Sequence, residues 1–552
     1  MRLLPASDTA LLVELADLEQ TLALYRAAQA QPIDGVQELV PAARTLLVHY
    51  RPEAVTPTEL AAALRARQAA AQAGGQPVAG TRAARQVEIV VRYDGEDLPA
   101  VAERLGLSVA DVIARHTAQP WQAAFAGFAP GFVYLAGGHA SLRGIPRRPS
   151  PRTRVPAGAV ALAGDFSAVY PAASPGGWQL IGVTAVPMWD LRRAEPAYVQ
   201  PGFQVQFIDQ RTAGRHISLP AVPDSESNKP LAPDQQAPEA IEFEAVGLQT
   251  LVQDAGRHGM AGLGISPSGA LDLPAMRQAN RLVGNPVHTP VLEHLLGGLR
   301  LRCHGRATLA VSGAVAPLTL HAPDGRQWPV PGHAALALDD GDVLAIGAPC
   351  AGVRCYVAVR GGWQVAPVLG SCATDTLAHV GPPALQAGQR LAVGGAVPAQ
   401  ALRATQDAAA PAPELPRAGA QVTLDVVAGP RTDWFGPEAL ARLTQQPWQV
   451  TPQSNRIGLR LHGAEPLARA RHDELPSEGT VTGAIQVPAG GQPVLFLADH
   501  PLTGGYPVIA AVARHHLPLA AQLAAGCQLR FRLVAPFAEL GDAHDTLPEK
   551  PA

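Results

Sequence analysis

The residues Ala498 to Pro507 read A-D-H-P-L-T-G-G-Y-P and follow the apolar run P-V-L-F-L. An acid, a histidine, a threonine and a tyrosine lie among two glycines and two prolines, so the stretch is either a turn that ends a strand or a loop where chemistry is done. Three further stretches raise the same question. In I-P-R-R-P-S-P-R-T-R, Arg147, Arg148, Arg152 and Arg154 fall within eight residues stiffened by Pro146, Pro149 and Pro151. Guanidinium forks on a stiff backbone suit a carboxylate or phosphate, and a solvated charged loop is the alternative. In S-P-G-G-W, from Ser174, Gly176 and Gly177 could aim backbone N–H groups into a pocket, or simply make a tight turn before a core Trp178. The stretch L-Q-T-L-V-Q-D-A-G-R-H-G-M-A-G-L-G-I-S-P-S-G-A-L-D places Asp254, Arg257 and Ser266 ahead of a helical pattern. Such a loop can bind an anion at the helix start, with Asp254 and Arg257 orienting each other, or reduce to turns and an N-cap at Ser268 or Asp272.

Composition narrows the chemistry. The 552 residues are 47% apolar and 16% charged, with a formal net charge of -3. Nothing pulls the molecule towards nucleic acid or a membrane, and a small molecule or a protein is the expected partner. The only lysines are Lys229 and Lys550, both outside the patterned segments. A P-loop lysine, a Schiff-base lysine and a biotin-accepting lysine are therefore missing from every expected domain. The five cysteines lack a C-x-x-C, H-E-x-x-H and G-x-S-x-G are absent, and His515 and His516 are merely adjacent. The expectation is a metal-free site of carboxylates, arginines and backbone amides in a reduced, cytoplasmic protein. No segment has the roughly 18 apolar residues of a membrane span.

A chain of this length holds several cores. Pro/Ser/Gln-rich breaks at 221–240 and 403–420 suggest linkers. Strand-like A-L-L-V-E-L, two helical patterns and V-Q-E-L-V-P-A-A-R-T-L-L-V-H-Y predict a β-α-β-β-α two-layer domain over 1–80. Beyond it, 53 prolines and 54 glycines cut short apolar runs, which predicts β barrels or sandwiches over 81–220, 241–402 and 421–537, with a tail at 538–552. The segments from Val155 and Val487 both show V-P-A-G, a strand, an acid (Asp165, Asp499) and Tyr-Pro (Tyr170, Tyr506), which suggests a duplicated barrel.

The runs G-F-A-P-G-F-V-Y-L, P-R-T-R-V-P-A-G and Y-P-A-A-S-P-G-G-W-Q-L-I-G resemble the KipI-type protein, also known as allophanate hydrolase subunit 1 or the B subunit of 5-oxoprolinase. The runs L-V-Q-D-A-G-R-H-G, S-N-R-I-G-L-R-L, G-A-I-Q-V-P-A-G and T-G-G-Y-P resemble the KipA-type protein, the C subunit of 5-oxoprolinase. The resemblance implies a fusion of the two: mainly β with α+β, a small N-terminal α+β domain followed by several cyclophilin-like β barrels. It implies a component of ATP-dependent 5-oxoprolinase, opening 5-oxo-L-proline to L-glutamate with a LamB/YcsF-type partner, the A subunit of that enzyme, and with ATP bound by this chain or shared with that partner. The alternatives are a urea-carboxylase-like carboxyltransferase module using a separate biotin carrier, and an inhibitor of a sensor histidine kinase. Residue type and family motif together nominate Asp254, Glu478, Asp499 and Tyr506 as catalytic. They nominate His116, Arg147, Arg152, Tyr170, Ser174, Gly176, Gly177, Arg257, Ser266, Gln486 and Thr503 for substrate or anion binding. Cys372 and His500 stand where the family usually has arginine, and Asp499→Asn is expected to abolish activity and spare the fold. A homo-oligomer is left open.

Overall fold

A computed structural model describes residues 1–73, 85–213, 239–395, 397 and 414–540. The expected linkers and the tail fall largely outside these described residues. The N-terminal unit is an antiparallel sheet in the order Arg2–Ser7, Ala10–Glu14, Thr45–Tyr50, Val36–Pro41. Helices Leu18–Ala30, capped by Asp17 on Gln20 N at 2.9 Å, and Pro57–Ala73 cover it. Its first strand is absent from the β-α-β-β-α reading, because the hairpin turn at Ser7-Asp8-Thr9 carries neither glycine nor proline.

Both faces of this sheet are buried. Leu3, Leu11 and Val13 face the helices, whereas Leu4, Ala6 and Leu12 join Ala484, Phe496 and Val508 of the C-terminal barrel in a separate core. Strand side chains alternate between faces, so a strand apolar at every position needs cover on both sides. The second cover is the C-terminal barrel, which makes the unit the middle layer of three. Full burial of a leucine such as Leu4 or Leu12 is worth about 1.5–3 kcal/mol.

The first barrel runs Gln179–Val183, Ala159–Ala163, Phe166–Val169, Val133–Ala136, Trp121–Ala126, Gln204–Asp209, Gln86–Val91, and a bridge from Arg92 to Val183 closes it. The last barrel is closed in the same order: Val508–Val512, Ala484–Gln486, Val494–Phe496, Gly458–His462, Trp448–Val450, Gln528–Ala535, Gln421–Ala428. Each has a single parallel pair, between its first and last strands. In each, a tryptophan opens the second strand of the barrel and donates from its indole N–H to the end of the preceding helix: Trp121 to His116 O at 3.0 Å, Trp448 to Leu443 O at 2.9 Å. The duplication is therefore present, but the V-P-A-G match puts it in the wrong register. Val155 precedes strand Ala159–Ala163, whereas Val487 follows strand Ala484–Gln486. The equivalent features are two small ribbons, Arg152–Val155 with Ser174–Gly176 and Glu478–Gly479 with Thr503–Gly504. S-P-G-G-W thus corresponds to L-T-G-G-Y, and Gly177 to Gly505. Asp165 is no counterpart of Asp499: it sits exposed in a hairpin turn, accepting from Gly144 N at 2.9 Å.

Where a barrel is expected over 241–402, the strands divide between a six-stranded and a five-stranded antiparallel sheet that share one core, including Phe243, Leu301 and Val357. Helix Leu273–Val283 packs on this unit. Its start is closed by Asp272, which accepts from Ala275 N at 3.0 Å, so the anion reading of that helix end gives way to the N-cap.

Candidate functional site

The two ribbons bring the first and last barrels together. At Gly127 a Cβ would stand 2.3 Å from Thr503 Oγ1, and at Gly505 a Cβ would stand 2.6 Å from Arg147 Nη1, the flexible end of its side chain, so the barrels approach closely at both glycines. Across the seam Arg147 Nη2 donates to Ser477 Oγ at 3.3 Å, Arg147 Nε lies 2.9 Å from Glu474, and Tyr134 OH lies 3.2 Å from Ser477 Oγ. The N-terminal unit joins them through Ala43 N to Ser477 O at 3.2 Å.

Of the nominated residues, Arg147, Arg152, Tyr170, Ser174, Gly176, Gly177, Glu478, Gln486, Thr503 and Tyr506 belong to this seam or its two ribbons. Tyr170 is buried edge-on to Phe132 at 5.3 Å, and burial pushes its phenol up, so it acts as a neutral group. Gln486 Nε2 donates to Tyr506 O at 3.1 Å, and the half-exposed Tyr506 ring lies 5.6 Å from the Arg469 guanidinium. The hydroxyls of Ser174 and Thr503 are buried and have no protein partner. Buried polar atoms are nearly always paired, so an orphan on each ribbon leaves hydrogen-bonding capacity unused on both sides of the seam. The set can hold a carboxylate or polarise a carbonyl.

Arg152 and Glu478, although on the ribbons, and the remaining nominated residues are each engaged in pairs or cores of their own. Arg152 contacts Glu96 at 2.5 Å and, with Arg148, donates to Asp97 Oδ1 at 2.9 and 2.8 Å, while Asp97 Oδ2 accepts from Leu180 N at 2.7 Å. These two arginines pin the first ribbon to its barrel, and neither is free for an anion. His116 is sealed between Tyr93 OH at 2.7 Å and Ser167 Oγ at 2.9 Å, and burial holds it down to about 3, which makes it a neutral core group. Glu478 is buried in a two-pronged pair with Arg431, one contact being 2.9 Å. Asp254 does not pair with Arg257. It accepts from Ser371 Oγ at 2.6 Å and Cys372 N at 2.7 Å, whereas Arg257 donates to Ala373 O, so both fasten the segment after Leu369. Ser266 Oγ donates to Asp375 at 3.2 Å. Cys372 is buried, with its thiol pushed up to about 11, and His500 is a buried neutral ring stacked on Phe496 at 5.7 Å, so neither departure from arginine falls in the seam.

Asp499 is fully buried. It receives Arg456 through Nε and Nη2 at 3.0 and 2.9 Å, Ser268 Oγ at 2.6 Å, and Thr376 N and Oγ1 at 2.9 and 2.7 Å. Burial opposes its charge, but the Arg456 guanidinium and these donors hold it below the usual carboxylate range. With its oxygens taken by five donors, Asp499 fastens the unit of residues 239–395 to the last barrel. Arg456 continues the network to Glu293, which also accepts from Tyr356 OH at 2.9 Å. Arg456 stands in the run S-N-R-I-G-L-R-L, but nothing there names its partners, and nothing local announces Glu293 or Asp97.

Nearby, burial and the charge of Asp499 push Asp375 up to about 6. From about pH 4, where an unfolded aspartate titrates, to about 6 the native carboxyl keeps a proton that the unfolded chain has lost, so stability falls as pH rises through this window. Its oxygens accept from Leu377 N, Ala378 N and Ser266 Oγ, a pattern that asparagine reproduces if its amide donates to the serine. Asp375→Asn is expected to flatten the stability profile between pH 4 and 6 and to raise Tm at pH 7.5, read by thermal melts. An unchanged slope would count against this assignment.

Asp425, His515 and His516 gather their ligand atoms within 4.8 Å of one another, which adjacency in sequence did not suggest. Arg532 occupies both Asp425 oxygens at 2.6 and 2.9 Å, and His516 Nδ1 accepts from Asp425 N at 2.8 Å, so the group satisfies itself. Among the described residues no helix is long and apolar enough to cross a membrane.

The sequence matches the carboxyltransferase domain, subdomain C and D, over residues 1–199 and the carboxyltransferase domain, subdomain A and B, over residues 263–533. It is 36% identical over 288 residues to the C subunit of 5-oxoprolinase from Escherichia coli, covering 52% of this chain and 88% of that one. It is 44% identical over 130 residues to the B subunit of 5-oxoprolinase from Escherichia coli O157:H7, covering 23% and 59%. Urea amidolyase of Saccharomyces cerevisiae is 31% identical over 315 residues, 54% of this chain but 17% of that enzyme. The crystal structure of TTHA0988 superposes with a TM-score of 0.78 at 33% identity, over 95% of this chain and 99% of that one. The chain belongs to the carboxyltransferase-domain family. Within it, this is a fused KipI/KipA-type protein, carrying in one polypeptide modules whose relatives in Escherichia coli are the separate B and C subunits.

Proposed function

We propose that the chain is the fused B and C component of an ATP-dependent 5-oxoprolinase, which opens 5-oxo-L-proline to L-glutamate together with a LamB/YcsF-type partner. The observation that supports it most is the seam, where Arg147 of the half resembling the one component meets Ser477 and Glu474 of the half resembling the other. Arg147 takes the ring carboxylate or the developing oxyanion, and the hydroxyls and the ribbon N–H groups orient the lactam carbonyl. ATP supplies the phosphoryl group that makes this stable carbonyl open to attack by water. The bridging guanidinium of the seam suits a single anionic group and not a triphosphate, so ATP is assigned to the LamB/YcsF-type partner or to a surface shared with it.

Purified chain is expected to produce glutamate and hydrolyse ATP in a 5-oxoproline-dependent manner only when the LamB/YcsF-type partner is added. Absence of turnover in the reconstituted mixture would sink the reading. A second reading, carboxyl transfer from a separate biotin carrier, is favoured by the urea amidolyase similarity. Dependence on a biotinylated carrier in the same assay would establish it.

A further inference from the structure

Where three units meet, away from the seam, histidines from each of them gather around a glutamate. The N-terminal sheet supplies two of the groups. Leu46 and Val48 of strand Thr45–Tyr50 lie in the core beneath the helices and Leu47 in the core shared with the last barrel, so His49 faces that barrel. Glu38 stands directly opposite His49 on strand Val36–Pro41, in the row next to Val40 and Leu47, and shares its face. The two-sheet unit of residues 239–395 brings His258 on a loop that reaches this sheet, where Ala261 N donates to Glu38 Oε1 at 3.0 Å. His258 is close enough to act electrostatically on both Glu38 and His49. The last barrel brings His500. Its ring contacts Thr480 Oγ1 at 3.3 Å, and the adjoining Gly479 packs so closely on the sheet that a Cβ there would stand 2.6 Å from Leu47 Cβ.

The protons on these rings point away from the cluster's free nitrogens. His500 Nδ1 lies 2.9 Å from Pro501 O, and His258 Nε2 lies 3.3 Å from Ala255 O. A carbonyl only accepts, so those nitrogens carry the protons, leaving lone pairs on His500 Nε2 and His258 Nδ1. Neither nitrogen of His49 has a hydrogen-bond partner among the described residues, and burial together with the neighbouring His500 and His258 holds it down to about 4, so its ring is neutral. His500 is only 3% exposed, yet its free nitrogen, like those of His49, is not sealed from solvent. Three neutral imidazoles beside one carboxylate suit a borderline transition ion, whereas calcium and magnesium prefer oxygen. We propose that Glu38, His49, His258 and His500 bind a divalent ion of the zinc class, which ties the N-terminal sheet, the two-sheet unit and the last barrel together. Among the described residues only Asp425, His515 and His516 already hold their ligand atoms within 4.8 Å of one another, so the ion draws the new set in by ring rotation, His258 on its exposed loop moving most. Binding alone tests the inference, which is independent of the reaction proposed above.

The probe is cobalt(II) added to the untagged, chelator-stripped full chain and read by the visible absorption of the tetrahedral ion, with zinc(II) as competitor in calorimetry. A single ion per chain, bound in the micromolar range or tighter, and a Tm that rises with added zinc(II) are expected. His49→Ala/His500→Ala is expected to weaken binding at least about tenfold. His258→Ala, at an exposed position that leaves the fold intact, is expected to reduce the zinc-dependent rise in Tm. His515→Ala, in the competing Asp425 cluster, is expected to bind as the unaltered chain does. No saturable cobalt signal up to about 1 mM, an undiminished rise in Tm in His258→Ala, or loss of binding in His515→Ala would each overturn the proposal.

Discussion

Arg456→Met is expected to cost the folded chain about 3–5 kcal/mol, the usual penalty for leaving buried charge without its partner. The substitution strips both Asp499 and Glu293 of the guanidinium they share, in a place where neither carboxylate reaches water. Asp499 comes from the last barrel and Glu293 from the two-sheet unit of residues 239–395, so the loss should appear as uncoupling of those two units. Calorimetry is expected to show a lower Tm and a transition split into two, with the N-terminal unit melting alongside the barrel it packs on. A single transition at the original temperature would mean that the network contributes little. The same reasoning revises Asp499→Asn, whose main effect is expected on stability and only secondarily on activity.

Arg147→Ala is expected to lower 5-oxoproline-dependent turnover by about 10²-fold, the scale on which losing one preorganised charge-stabilising group is felt. Arg147 is half-buried and its carboxylate partner Glu474 is exposed, so little stability rests on the pair and Tm should stay within a few degrees. Gly505→Ala provides an independent check, because its methyl would displace the Arg147 guanidinium, the flexible end of a side chain, and otherwise meet only the Leu475 carbonyl oxygen at 3.3 Å. The two variants should fall together. Full activity in Arg147→Ala would remove the seam as the reacting site.

The contrast between Asp499 and Arg147 shows what a single sequence can reveal here. The barrels, the N-terminal helices and the duplication were readable because they rest on local periodicity and turn residues. The register of the duplication was not, since V-P-A-G is a turn signal that an Ala/Gly/Pro-rich chain repeats by composition, while the true equivalents share a place in strand order and little identity. Arg147, Arg148 and Arg152 are indistinguishable as letters. Asp97, far earlier in the chain, claims two of them and leaves the first facing Ser477 of the other half. Asp499 was conspicuous because loops rich in polar residues suggest chemistry, yet its partner Arg456 lies 43 positions away in a run that does not reveal the pairing, and Glu293 lies further still with no local cue. Seam residues contributed by both halves can be found only once the halves are docked.

The three-layer stack built on the N-terminal sheet has a further consequence. Its apolar faces belong to a module from the front of the chain and a barrel from the end, so covalent fusion turns what would be a bimolecular encounter into an internal one at millimolar effective concentration. The fused chain should therefore keep its seam closed at dilutions where two independent polypeptides would drift apart, and its output should not depend on their matched synthesis.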